Sequence, residues 1–378
     1  MIFIFYLTSY LFVRKILVDT QAIFYSNQEA ITMGASISDI AQKANVSATT
    51  VSRALNNQGY VNEETKNEII RIADELGYRP KQYKKRNGFS SSKLIGVVVP
   101  DIKNAYFGEI IRGIEEVTFQ KGYDLLICDS AGDPGQEIRC ISSLYAANVC
   151  GLIAAISSDV ATYNLEYLQD LNDTKFPVVL VDRNPGLPGL DSVTFDNYGG
   201  SIKAVQVFID NGHKDIAILC GPTTAKTGME RLNGYIDALR ANDIPIREEY
   251  ILYGDFRSES GYRLTKKLLS SRKKVTAIFM SNRRMTLGCL RALKEMELKV
   301  PDDIAIISFG KSDFYSVLPV PISHVYQPVP PIGEECANIL LKKLEMGKKY
   351  RKHPRKQSIF STECILCGSE AYPVNRTK

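Results

Sequence analysis

Within the stretch "NVSATTVSRALN", residues 45–56, two threonines and one arginine recur at positions that share one side of a short helix. Thr49 and Thr50 offer hydroxyls and methyls small enough to touch thymine methyls or base edges. Arg53 offers a planar guanidinium that can grip guanine with two parallel hydrogen bonds. Ser47, just ahead, would place a hydroxyl and a helix N-terminus where a phosphate could sit. No other residue set suggests covalent chemistry. The chain has three histidines, none beside a nucleophile or in a metal-ligand spacing, and Cys364-x-x-Cys367 stands without a second ligand pair. No catalytic residue, metal ligand or cofactor site is expected.

A thin helix of this kind needs a frame. Ser36 precedes "ISDIAQKA" and can cap a first helix, with Asp39 three residues on completing a near capping box. Ile40, Ala41 and Ala44 supply an inward face, and Asn45 suits the left-handed conformation of a tight turn. Val46 plugs the corner, Ser47 caps the second helix, and Val51 and Leu55 point inward. A third helix runs from a cap at Asn62, with Ile69, Ile72, Ala73 and Leu76 on one side and Gly77 as its stop. Together these make a helix-turn-helix unit over residues 34–80. Of the chain's formal net charge of +5, residues 34–93 hold +4, from ten Lys/Arg against six Asp/Glu. That local excess favours a polyanionic partner.

The segment "ISDIAQKANVSATTVSRALNNQGYVNEETKNEIIRIADELGYRP" closely resembles the headpiece of the lactose-repressor (LacI/GalR) family of bacterial transcription regulators, and similarity continues through the rest of the chain. The resemblance implies that Ala48, Thr49 and Arg53 face bases. It further implies that Ser36, Ser47, Thr50, Ser52, Asn56 and Tyr60 fix phosphates of double-stranded DNA. Residues 81–93, "KQYKKRNGFSSSK", form a basic, Ser-rich hinge. The family usually carries an Ala-Arg-x-Leu-like turn there, whose leucine wedges into the minor groove. Asn87 and Gly88 occupy that place and weaken a helix, so an apolar wedge is not expected, while Lys84, Lys85 and Arg86 would still contact DNA. A flexible charged tether is the rival reading.

From Leu94 onward the pattern changes. "LIGVVVPD", "YDLLICDS", "CGLIAAIS" and "PVVLVDR" are apolar runs of strand length separated by amphipathic helical stretches. "DIAILCGP", "EEYILYGD", "VTAIFMSN" and "DIAIISFG" repeat the alternation, which argues two α/β lobes with parallel sheets. The family likeness implies a two-lobed type-I periplasmic-binding-protein-like domain, with crossovers near Ser192–Val193, His324–Val325 and Pro354–Ser358. The first lobe would then span 94–192 and 325–354, the second 193–324 and 355–378.

Ligands of such sheets bind at the carboxyl ends of the strands. The residues there are Asp101, Asn104, Tyr106, Phe107, Asp129, Asp182, Arg183 and Asp196 from the first series. Thr227, Arg231, Phe256, Asn282, Arg283, Gly310 and Lys311 come from the second. Aromatic rings can stack on a sugar and the polar groups satisfy hydroxyls. Two departures from the family pattern stand out: Arg283 replaces a usual aspartate, and Gly310-Lys311 replaces another. A guanidinium-rich cleft favours a carboxylate or phosphate on a sugar ligand.

The expected protein is therefore a cytoplasmic, homodimeric repressor that binds a palindromic operator and is controlled by a sugar or sugar derivative. A transport-type solute receptor without a DNA role is the alternative. The eight scattered cysteines, two of them in strand-like runs, fit a reducing compartment. Residues 1–33, opening "MIFIFYLTSYLFVRK", read as an over-extended start ahead of Met33; a membrane anchor and a disordered tail are the rivals.

Overall fold

The structure, a computed structural model, describes residues 36–56, 59–76, 92–159, 165–270, 274–352 and 354–372. The leader reading and the hinge residues Lys84, Lys85 and Arg86 lie outside them. The chain divides into two compact units, 1–81 and 82–378.

In the small unit, α1 spans Ile37–Lys43, α2 Ala48–Asn56 and α3 Glu63–Glu75. The capping box forms: the Asp39 amide donates to the Ser36 hydroxyl at 3.3 Å, and the Ser36 amide and hydroxyl donate to the Asp39 carboxylate at 2.6 and 2.7 Å. Hydrogen bonding from Ser36, the backbone amide foremost, holds the Asp39 carboxyl below its ordinary range. Asn45 adopts the left-handed conformation, φ 52°, at the turn. The core is small: Ile40, Val51, Ile69 and Ile72 are essentially fully buried, with Ala41, Ala54 and Ala73 filling between them. Each fully buried aliphatic side chain contributes about 1.5–3 kcal/mol, so caps matter in so thin a core.

The large unit holds two sheets. The first contains β1 Leu94–Val99, β2 Asp124–Asp129, β3 Gly151–Ala154, β4 Val178–Val181 and β5 Asp191–Phe195. Helices α4 Ala105–Gln120, α5 Pro134–Ala146 and α6 Glu166–Asp173 connect them. The second sheet contains β6 Ile216–Cys220, β7 Ile251–Tyr253, β8 Ala277–Met280, β9 Ala305–Phe309 and β10 Ser323–Tyr326. Its helices are α7 Asn197–Asp210, α8 Lys226–Ala241, α9 Ser258–Leu269 and α10 Arg283–Glu295. The chain then returns through α11 Val329–Met346, which packs on α4, to β11 Gln357–Phe360 in the first sheet, and ends in the second with β12 Glu363–Ile365.

The strand orders are β11-β5-β4-β3-β1-β2 and β12-β10-β9-β8-β6-β7. Pairing is parallel except that β12 runs antiparallel to β10. Helices cover both faces, which is why the central strands read as unbroken apolar runs. Ile95, Val97 and Val99 pack against α4 and α11, while Val98 packs with Leu152 and Leu180 against α5 and α6. In each sheet the order reverses beside one central strand, β1 or β6, and opens a crevice at its carboxyl end.

The crossovers correct the sequence expectation. Residues 193–195 complete β5, paired with β4 and β11; His324 and Val325 belong to β10, paired with β9; and Gln357–Phe360 pair with β5. A chain can leave a sheet only where its ladder ends. Asp196 marks the first exit, its carboxylate accepting the Gly199 amide at 2.7 Å as the α7 cap. The first lobe is therefore about 94–195 with 329–360, and the second about 197–326 with 363–372.

Candidate functional site

On α2 of the small unit Ala48, Thr49 and Arg53 are exposed, as is Ser47 just ahead of it, while Thr50 and Ser52 are half-buried. The Ser47 hydroxyl accepts the Thr50 amide at 3.1 Å and lies 2.8 Å from the Thr50 hydroxyl, so this pair closes the helix start. The Ser36 hydroxyl is likewise engaged with Asp39. Tyr60 is 92% exposed. Asn56 ends α2, and its side chain is outside the description.

No carboxylate lies on α2. Apart from Asp39 on α1, the described acids of the small unit lie on α3, where Glu68 and Glu75 hold Arg71, Glu75 also holds Lys43, and Glu63 faces Lys66. Those cations are neutralised locally. The α2 N-terminus, carrying its partial positive charge, faces no acid of its own helix.

In the large unit, the crevices of the two sheets share one cavity of ≈ 950 Å³. Of the residues expected there from sequence, Asn104, Tyr106, Phe107, Asp182 and Arg183 line it from the first lobe. Thr227, Arg231, Phe256, Asn282, Arg283 and Lys311 line it from the second. Asp129 does not. Its carboxylate accepts the Ala131 amide at 2.8 Å and the Ile102 amide at 3.4 Å, organising the loop whose Ala131 and Gly132 line the cavity instead. Asp196 is spent on its helix cap.

Buried charges of both signs meet in the cavity, Arg183 and Arg231 beside Asp182. Arg231, 7% exposed, donates from Nε and Nη2 to Asn197 Oδ1 at 3.0 and 2.8 Å and from Nη1 to the Ser281 carbonyl at 2.6 Å. Its guanidinium lies 3.9 Å from the centroid of Phe309. Burial lowers its pKa to about 10, which still leaves it charged near neutrality. Arg183 donates from Nη1 to the carbonyls of Ile156 and Ser157. The Tyr106 hydroxyl donates to Asp182, and burial first, then the Asp182 charge, pushes its pKa well above the ordinary phenol value.

Asn282 is architectural. Its side-chain oxygen caps α10 by accepting the Met285 amide at 2.8 Å, and its NH2 donates to the Phe256 carbonyl at 2.9 Å. Asp182 and Phe256 both hold left-handed backbone, φ 69° and 64°, an unfavourable conformation for non-glycine residues that tends to mark functional loops. Phe107, 5% exposed, belongs to the core and meets Tyr106 edge-to-face at 5.2 Å.

Three buried N–H donors of this cavity have no hydrogen-bond partner among the described residues: Arg183 Nε, Arg283 Nη2 and Gln327 Nε2. Arg183 Nε has the Asp182 carboxylate 3.8 Å away as its ion-pair partner, beyond hydrogen-bond reach. Buried donors are rarely left unpaired, so Arg283 Nη2 and Gln327 Nε2 in one cavity ask for acceptors on a ligand. Gln327 escapes a sequence reading because it follows β10, past the crossover expected near His324–Val325. Phe309 was missed although it ends β9, where the strand-end rule points. Glu109 and Arg284 also line the cavity, and nothing local distinguishes them from other charged helix residues. Among the described residues no cluster of three or more His, Cys, Asp or Glu could hold a metal.

Comparison with known proteins gives the same two-part division. Residues 36–81 match the family described as bacterial regulatory proteins, lacI family. Residues 92–359 match that described as periplasmic binding proteins and sugar binding domain of LacI family. The chain is 31% identical over 317 residues to the HTH-type transcriptional repressor PurR of Histophilus somni (strain 2336), covering 84% of this chain and 94% of that protein. It is 31% identical over 311 residues to catabolite control protein A of Priestia megaterium, covering 82% and 92%. Among solved structures, the transcriptional regulator CelR–cellobiose complex superposes with a TM-score of 0.68 at 26% identity, over 89% of this chain and 99% of that one.

Proposed function

The chain belongs to the lacI family of bacterial regulatory proteins, DNA-binding regulators controlled by small-molecule effectors, and from that premise we propose how its residues divide the work. Ala48, Thr49 and Arg53 read base edges in the major groove. Ser36, Ser47, Thr50, Ser52, Asn56 and Tyr60 fix phosphates, with Lys84, Lys85 and Arg86 of the hinge adding backbone contacts. Two copies in a homodimer bind the half-sites of a palindromic operator in the cytoplasm and repress transcription. A transport-type solute receptor is disfavoured by the match of residues 36–81 to the regulatory family.

The effector enters the inter-lobe cavity and is a sugar derivative bearing a carboxylate or phosphate. The observation that carries this reading is the set of buried donors around Tyr106 and Phe256: Arg283 Nη2 and Gln327 Nε2 have no hydrogen-bond partner among the described residues, and Arg183 Nε has only the Asp182 carboxylate 3.8 Å away. A guanidinium recognises carboxylate or phosphate oxygens in a planar, bidentate way. The CelR relative binds cellobiose and another family member of known structure binds ribose, so a sugar body suits the cavity.

A thermal-shift and calorimetric screen of sugar acids and sugar phosphates against their neutral parents tests the effector class. Binding of an acidic member, followed by a changed operator affinity in its presence, supports it. Tight binding of a neutral sugar and none of its acidic analogues refutes it.

A further inference from the structure

Two ion pairs join the lobes across the mouth of the cavity. Arg283 Nη1 lies 2.8 Å from Glu109 Oε1, and Arg284 pairs with Asp101. Both arginines open α10 in the second lobe. Both carboxylates belong to the first lobe, Asp101 just after β1 and Glu109 on α4.

This placement is not incidental to the second lobe. Positions at a helix start favour acids, because the unpaired amides there carry partial positive charge. The first turn of α10 instead holds two arginines and no acid. Within its own lobe that arrangement is repulsive. The compensation comes from the opposite lobe, so separating the lobes would leave two guanidiniums without these carboxylates at a positive helix end. Arg283 is further held from below by the Lys311 carbonyl at 3.0 Å, and its side chain is 15% exposed. Its other terminal nitrogen, Nη2, is the unpartnered cavity donor described above.

We propose that Glu109–Arg283 and Asp101–Arg284 form an electrostatic latch that holds the cleft closed before any effector arrives, with Arg283 serving the opposite lobe through one nitrogen and the effector through the other. The latch itself stands on the ion pairs alone; only the role of Arg283 Nη2 rests on the anionic-effector reading. The latch makes closure depend on ionic strength, since partly exposed pairs are screened by salt. It makes Arg283 the residue through which an effector's charge bears on lobe closure, because an anion at Nη2 and Glu109 at Nη1 share one guanidinium.

The test uses the full chain without effector. Donor and acceptor dyes are placed at Phe119 and Val317, which are 73% and 80% exposed and lie one on each lobe. Attachment through a noncanonical side chain avoids the eight native cysteines. Labelled chains are diluted into unlabelled ones, and single-molecule transfer efficiency reports the lobe separation. The double variant Asp101→Asn/Glu109→Gln should raise the open-to-closed ratio about 2- to 30-fold. Wild type should show a shift in the same direction when salt rises from about 0.05 to about 0.5 M. The charge-swapped pair Glu109→Arg/Arg283→Glu should return the distribution toward closed, which a merely damaged fold would not do. An efficiency distribution indifferent to the double variant and to salt overturns the latch, as does a swap that stays as open as the neutralised variant. A neutral effector in the screen above would sink the anionic reading without touching this result.

Discussion

On α2 of the small unit the groups proposed to read bases stand outward: Ala48, Thr49 and Arg53 are exposed on a helix whose other side buries Val51 and Ala54. In the large unit the corresponding groups are turned inward, with Arg183 9% and Arg231 7% exposed, and several of their donors are already committed to carbonyls and amides. The first surface can be stripped of its chemistry without disturbing the fold beneath it. The second is woven into the fold, so its residues carry stability and recognition together. A surface that must meet a large, flat-sided polyanion needs no interior, whereas a site that must enclose a small molecule has to pre-orient its donors where water is scarce.

The sharpest way to break that contrast is Arg231→Ala. It removes a buried cation and strands Asn197 Oδ1 and the Ser281 carbonyl, and should destabilise the large unit by about 2–4 kcal/mol. It should abolish the effector response while operator affinity survives; denaturant unfolding and operator titration read the two effects. An unfolding midpoint equal to wild type would show that the cleft cation is no more structural than an α2 side chain. Arg53→Ala should do the reverse, costing about 1–3 kcal/mol of operator discrimination with no change in unfolding. Unaltered preference between selected and scrambled duplexes would remove Arg53 from the reading face.

Ser36→Ala sharpens the comparison on the stability side. Loss of one half of the capping box should cost about 1 kcal/mol, confined to the small unit, whose core is too thin to absorb it. Differential scanning of the full chain should show the small-unit transition moving alone. The gentlest effect is the pH dependence of the large unit. His213 Nε2 donates to the Glu370 carbonyl at 3.1 Å, and its Nδ1 lies 2.9 Å from the Thr276 hydroxyl. Burial holds the imidazoles of His213 and His324 below the usual 6.5. The unfolded chain therefore binds more protons between each lowered value and 6.5, so the stabilisation is complete above 6.5 and is lost as pH falls through that window. The large-unit midpoint should drop on acidification below pH 6.5, and His213→Gln should flatten the slope.

Legibility from sequence follows the same line. The small unit is read from neighbours: Ser36 with Asp39, Asn45 at its left-handed turn, Ser47 with Thr50 and Asn62 with the Glu64 amide all lie within a few residues of their partners. The lobes and their parallel sheets are legible because apolar runs alternate with amphipathic ones. Crossover positions are not, because β5 and β11 are short and partly polar, and their ladders are closed by strands far away in the chain. Asp129 looks like a cleft residue by its strand-end place, yet a loop amide claims it first. Arg283 and Glu109 stand 174 residues apart and Arg284 and Asp101 183, so no local pattern announces either pair.

The chain passes between the lobes three times, after β5, after β10 and after β11. Neither lobe is a contiguous piece of the chain: the first takes α11 and β11 from beyond the whole second sheet up to β10, and the second takes β12 from beyond β11. A regulator built this way cannot trade one half of its pocket with a cousin by a single recombination. Any change in the ligands it accepts must instead be fitted residue by residue into a pocket whose two walls are threaded through each other.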